Sequence, residues 1–186
     1  MDLARKIACV ACLWLLASAP VVAQCVNTPS PSCGVYSQCF SHLCSCSSSP
    51  YEYFISYGEK YCKTFLDLPG LSAEGKAWRD STLKCLQETI VPMLPPDGQA
   101  STCDCKQMQV RAFDSHVACY TKPGASICSL GYADWMLIFN TVGGVSSLTD
   151  QKNRKQMLEV AKVCLADAGL PDDVRSVINN LANALE

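Results

Sequence analysis

The sequence predicts an all-α fold: a single disulfide-rich helical domain of about five or six helices behind an irregular cysteine-rich N-terminal segment. Three observations carry this reading. Fourteen cysteines stand among 186 residues, an even number that suits an oxidising compartment. Apolar residues recur at helical spacing from Tyr51 to the C-terminal residues. Strand signals are weak throughout.

The first residues set the compartment. Arg5 and Lys6 form a short basic stretch, and Ile7 to Ala19 is an apolar run well short of the ~20 residues that cross a bilayer. Ala23, with Val21 at the −3 position, marks a cleavage point, whereas a cut after Ala19 would leave Pro20 beside it. Residues 1–23 therefore read as a signal peptide, against the alternative of an N-terminal membrane anchor. Cys9 and Cys12 leave with it, so twelve cysteines remain in a mature chain of 163 residues, 24–186. That length suffices for one domain with a core. Without Asp2, Arg5 and Lys6 the chain carries 13 basic and 16 acidic residues. It has no basic run, so nucleic acid is not an expected partner. No second apolar run is long enough for a membrane span, and no Asn-x-Ser/Thr sequon occurs. A secreted, extracellular product is the expectation.

Within 24–186, residues 24–50 are rich in Ser, Pro and Cys and read as an irregular or short-helical cap over a helical core, 51–186. Tyr51 to Leu68 is the first core helix, stopped by Pro69-Gly70. Ser72 caps the second, where Trp78, Cys85 and Leu86 share a face until Pro92, Pro95 and Pro96 break it. Asp104 to Tyr120 is the third, with Cys105, Met108, Ala112 and Cys119 at near-helical spacing. Asp134 to Val142 is apolar nearly all round and is expected to be buried; Gly143-Gly144 ends it. Ser147 with Asp150 resembles a capping box for the next helix, whose inward face is Met157, Ala161, Cys164 and Leu165. Gly169 suits its stop. Pro171 opens the last helix, with Asp172 and Asp173 in its first turn and Val174, Ile178, Leu181 and Leu185 facing inward.

The candidate chemistry is sparse. His116-Val117-Ala118-Cys119-Tyr120 resembles the secreted phospholipases, which carry a His one turn before a Cys-Tyr. In those enzymes the His is followed by a calcium-binding Asp. Val117 stands at that position and cannot ligate a cation. Their glycine-rich calcium loop also has no counterpart, since Cys33-Gly34-Val35-Tyr36 lacks the repeated glycines. The competing reading of His116 is a helix-surface residue packed near a disulfide. Cys44-Ser45-Cys46 and Cys103-Asp104-Cys105 could hold a soft metal as thiolates, but His42 is the only nearby imidazole, and zinc ligands are usually spaced more widely. No metal and no cofactor is expected. With His42 and His116 the only histidines, no nucleophile–base pair is evident. Tyr51, Tyr53, Phe54 and Tyr57 form an aromatic cluster that reads as core or as a receptor-facing patch.

The two C-x-C pairs suit each other. On an extended segment, residues i and i+2 share a face. Two antiparallel segments could therefore join Cys44 to Cys105 and Cys46 to Cys103 as adjacent rungs.

Cys62-Lys63-Thr64-Phe65-Leu66, then Gly75-Lys76-Ala77-Trp78, then Leu83-Lys84-Cys85 resemble the stanniocalcins, secreted hormones with Cys-Lys-x-Phe-Leu, Gly-Lys-x-Phe and Leu-Lys-Cys in that order. Cys119-Tyr120, Cys128-Ser129 and the segment from Leu158 to Cys164 continue the likeness, and Cys25, Cys33, Cys39 and Cys44 match the family's first cysteines in order. The resemblance covers nearly the whole mature chain. It implies the bridges Cys25–Cys39, Cys33–Cys62, Cys44–Cys105, Cys85–Cys119 and Cys128–Cys164, which leaves Cys46 and Cys103 as an added pair. It also implies a non-enzymatic, hormone-like or regulatory protein that binds an extracellular receptor or a secreted enzyme, with calcium and phosphate balance as the family's process. The family's extra carboxy-terminal cysteine and its glycosylation sequon have no counterpart here. No intermolecular disulfide is therefore expected, while a non-covalent homodimer through the last two helices stays open. The alternative function is a phospholipase-like hydrolase using His116.

Overall fold

The computed structural model of this chain describes residues 32–46, 54–95 and 103–185. Expectations for the leader 1–23, Cys25, Tyr51, Tyr53 and Pro96 lie outside the described residues. Among those described, the structure is helical without strands.

The first helix was hidden by its composition. Residues 34–43 (α1) contain a π-helical run, Tyr36–Phe40, continued by Ser41–Leu43. Tyr36, Cys39, Phe40 and Leu43 are all buried, and their spacing is that of one helix face. The described part of the cap is thus the short-helical alternative, and it contributes to the core.

The next helix, 54–66 (α2), opens on a second π-helical run, Phe54–Glu59, and continues as Lys60–Leu66 with Cys62 and Phe65 buried. It stops ahead of Pro69-Gly70, where Gly70 takes φ 87°, a conformation other residues resist.

Ala73–Ile90 (α3) starts where expected. The Ser72 hydroxyl accepts from the Gly75 N–H at 2.9 Å, satisfying a donor that a helix start leaves unpaired. The same hydroxyl donates to Asp134 Oδ2 at 2.5 Å, and the Ser72 N–H donates to Oδ1 at 2.9 Å. A carboxylate 62 residues away thus completes the cap. Gly75 makes room for it: a Cβ there would lie 2.7 Å from the Asp134 carboxyl carbon. Pro92 turns the end of α3 into a short 3-10 segment, Val91–Met93.

Cys105–Tyr120 (α4) is capped by Asp104, which accepts from Gln107 N–H at 2.9 Å. α3 and α4 are joined by Cys85–Cys119 and by the Trp78 indole, whose N–H donates to the Tyr120 carbonyl at 3.0 Å.

Tyr132–Thr141 (α5) departs from expectation. Of its residues only Asp134 and Ile138 are fully buried, and Tyr132 is 45 % exposed. An apolar circumference is not a buried one: α5 turns one face to the core and leaves the other as the wall of a surface groove. Gly143, at φ 110°, closes it.

Gln151–Leu165 (α6) is capped by Asp150, which accepts from Asn153 N–H at 2.9 Å. Ser147 does not take part in a capping box. It sits inside a 3-10 segment, Gly144–Thr149, and its hydroxyl donates to the Gly144 carbonyl at 2.7 Å. Val160, Ala161 and Cys164 are the buried face; Met157 and Leu165 are half-buried. Arg175 on the last helix, Asp172–Leu185 (α7), donates to the Leu165 and Asp167 carbonyls at 3.0 and 2.8 Å and closes the C-terminal end of α6. Val174, Ile178 and Ala182 face the core from α7, and Leu181 is half-buried.

The disulfides run between these elements. Cys33 is bonded to Cys62, Cys85 to Cys119 and Cys128 to Cys164, with Cα separations of 5.6, 5.6 and 4.9 Å. Cys39 is disulfide-bonded, and its expected partner Cys25 lies outside the described residues. The C-x-C pairs differ from expectation. Cys44 is bonded to Cys103 and Cys46 to Cys105, at Cα separations of 5.2 and 5.5 Å, so Cys44–Cys105 and Cys46–Cys103 do not form. Both bridges span 59 residues, the register of segments running parallel. One segment leaves α1 and the other enters α4. A two-residue repeat puts both thiols on one face whichever way the strands run, so the direction of approach, set by the helices, selects the partner.

Candidate binding cavity

Between the helices lies an apolar cavity of about 130 Å³, lined from every helix of the domain. Part of the lining is aromatic and polar. Tyr36 and Tyr57 reach it from the two π-helical runs, Tyr61 from α2, and Tyr120 with His116 from α4. The Tyr57 and Tyr61 rings lie 4.5 Å apart, and Trp78 meets Tyr120 edge-on at 5.4 Å. Gly58 permits the close approach of α1, because a Cβ there would stand 2.8 Å from the Tyr36 ring. The lining also includes Ile138, Phe139, Val142, Val160 and Ile178, with Asn153 and Gln156 beside them on α6.

The electrostatics of the lining follow from burial. Removal from water pushes the Tyr36 and Tyr120 phenols well above their ordinary value. Tyr57 is raised by burial first and by its neighbour Tyr61 second. All three stay protonated at neutral pH, so each hydroxyl keeps a hydrogen to donate. Burial lowers the His116 pKa, partly opposed by bonds to the Phe113 and Ala112 carbonyls. Its Nδ1 lies 2.8 Å from the Phe113 oxygen; a carbonyl can only accept, so Nδ1 carries the hydrogen. Gln156 Nε2 donates to the same carbonyl, at 2.5 Å. His116 is therefore a neutral, half-buried member of the cavity wall, with rings of Phe113 and Tyr120 against it. The exposed Asp114 does not line the cavity.

The other sequence candidates separate. The four C-x-C thiols are consumed as disulfides, which overturns the thiolate-metal reading. His42 is exposed, and among the described residues no cluster of His, Cys, Asp or Glu could hold a metal ion. Tyr57 of the aromatic cluster belongs to the cavity wall. Sequence reasoning missed the convergence of Tyr36, Tyr61 and Tyr120, and it missed Asp134 as the partner of Ser72.

A second apolar feature lies at the surface. α5 and α7 form a groove lined by Tyr132, Met136, Phe139, Val174, Val177 and Leu181, with Tyr132 45 % and Val177 36 % exposed.

No family model, no curated protein and no solved structure matches this chain.

Proposed function

We propose that this is a secreted, non-catalytic regulatory protein similar to the stanniocalcins, which acts by binding an extracellular receptor or a secreted enzyme. The observation that carries the reading is the α5–α7 groove: aromatic, Met and Val side chains open to water on a frame whose helices are tied by disulfides. Exposed apolar patches of this composition mark protein contact sites. Disulfides of this density belong to oxidising compartments, and among the described residues no helix is long and apolar enough to cross a membrane. A role in calcium and phosphate balance rests on the sequence resemblance.

The runner-up, a phospholipase-like hydrolase, would need His116 as a base. The Nδ1–H bond to Phe113 leaves Nε2 as its lone-pair nitrogen, which is the observation that keeps this reading open.

The test uses the full chain expressed through a secretory pathway. The product should enter the medium lacking residues 1–23, and its labelled form should bind saturably to intact cells or to a secreted enzyme. Val177→Asp should abolish that binding and leave thermal unfolding unchanged. A product that stays in the cell would overturn secretion, and calcium-dependent lipid hydrolysis lost in His116→Ala would overturn the non-catalytic reading. A dimer in solution that Val177→Asp dissociates would make a second copy the occupant of the groove.

A further inference from the structure

The cavity between the helices owes its wall to features outside ordinary helix packing. π-Helical turns are rare and cluster at functional positions; two of them bring Tyr36 and Tyr57 into the wall, and Gly58 leaves room for the Tyr36 ring. Trp78 meets Tyr120, and Tyr120 meets His116, edge to face at 5.4 and 5.6 Å, an arrangement aromatic rings prefer and that one more ring can join. Size limits what can enter. About 130 Å³ is close to the ~150 Å³ of an engineered cavity that takes up benzene, room for one ring and not for a long chain. Tyr57, Tyr61 and Asn153 in the wall are only half-buried, so part of it is within reach of solvent.

Charge narrows the choice. Among the described residues the lining holds one side chain of the Lys, Arg, Asp and Glu types, Arg79, and its Nε is already paired with Asp80 at 2.8 Å. The negative charge of Asp150 is felt at Tyr57. An anion would therefore find no free cation and a nearby carboxylate, and a cation would meet the guanidinium. A neutral ligand avoids both penalties. Its polar group has an acceptor in the wall: with Nδ1–H on the Phe113 carbonyl at 2.8 Å, His116 keeps a lone pair on Nε2.

We propose that this cavity binds a neutral, single-ring phenol, its ring among the Tyr and Trp rings of the wall and its hydroxyl donating to His116 Nε2. The inference does not rest on the protein-binding role assigned to the α5–α7 groove.

The probe is p-cresol, titrated calorimetrically into the secreted protein at neutral pH, with toluene and benzoate alongside. p-Cresol should bind saturably and raise the thermal midpoint. Benzoate, a similar ring carrying a charge, should bind about tenfold more weakly or worse. His116→Phe keeps a ring and removes the acceptor; it should weaken p-cresol about three- to tenfold, the worth of one hydrogen bond, and toluene by less than about twofold. Ala161→Leu fills the cavity from α6 and should abolish binding of both; Ala112→Leu, from α4, serves if that variant does not fold by circular dichroism. No saturable binding of p-cresol to the wild-type protein would overturn the proposal. So would undiminished binding by a folded filling variant, benzoate binding as tightly as p-cresol, or a folded His116→Phe that binds p-cresol normally or weakens p-cresol and toluene alike.

Discussion

The two ends of the domain are held together by different means. At the N-terminal end, α1 and α2 each contain a π-helical run and have no side-chain cap in their α-helical parts. Disulfides compensate: Cys33–Cys62 ties α1 to α2, and the parallel pair Cys44–Cys103 and Cys46–Cys105 ties α1 to α4. At the C-terminal end, α6 and α7 are regular helices of 15 and 14 residues, capped by Asp150 and closed by Arg175. They pack through Val160, Ala161, Val174 and Ile178, with Cys128–Cys164 as the described bridge. The difference has a physical cause. A helix without a side-chain cap leaves end N–H groups without that partner, so restriction of the unfolded chain by disulfides makes up part of the difference. The C-terminal pair satisfies its ends locally, through Asp150 and Arg175.

The largest expected effect breaks this contrast directly. Replacing Cys44, Cys46, Cys103 and Cys105 with Ser should cost ~2–4 kcal/mol for each lost bridge, less any overlap between their loops. The product should lose secretion or unfold its N-terminal end first. Cys128→Ser/Cys164→Ser should leave a folded protein with a lowered thermal midpoint. Equal losses in the two variants, by circular dichroism melts, would mean that the ends do not differ.

Ile178→Ala probes the other mechanism. It should cost ~2–5 kcal/mol as a buried large-to-small change, whereas exposed Val177→Ala should stay within ~0.5 kcal/mol; chemical denaturation separates them. Next comes Gly75→Ala, where the new methyl meets the Asp134 carboxylate at 2.7 Å and overpacking should cost ~1–3 kcal/mol. Gly131→Ala is its control, with nothing within 4 Å of the added carbon. Asp150→Ala should remove ~1 kcal/mol as a lost N-cap.

The smallest effect is a pH dependence. The folded His116 pKa lies below its ordinary value of 6.5. As pH falls through that value, the unfolded chain binds a proton that the folded chain does not, so stability declines until the folded pKa is reached. Above it both states are neutral and the contribution vanishes. Thermal midpoints between pH 7 and 5 should therefore fall more steeply for the wild type than for His116→Gln. Parallel profiles would show that burial of this imidazole has no bearing on stability.

Local chemistry made much of this fold readable. Ser72, Asp104 and Pro171 mark helix starts, and Pro69-Gly70 and Gly143 mark stops, because capping and left-handed turns are decided within a few residues. The period of Tyr36, Cys39, Phe40 and Leu43 was also there to be read, but a Ser-, Pro- and Cys-rich setting masked it. Ser147 was misread for the opposite reason: its spacing to Asp150 imitates a cap, while the backbone makes a 3-10 segment. α5 shows the limit of a hydrophobic pattern, since apolar residues all round do not say which face finds a neighbour. Of the cavity, the sequence made only Tyr57, as one of a cluster, and His116 visible as candidates.

Composition and spacing were enough to establish an all-α, cross-linked chain and most of its helix limits, because each follows from period, cap or loop within a short stretch, whereas the pairings Cys33–Cys62, Cys85–Cys119 and Cys128–Cys164 were implied by the family resemblance alone. Packing in three dimensions chose Cys103 rather than Cys105 for Cys44, joined Asp134 to Ser72 and gathered Tyr36, Tyr57, Tyr61 and Tyr120 around one cavity. Those outcomes depend on the direction and distance between segments tens of residues apart, quantities that no local period carries and that emerge once the helices bury their faces against one another.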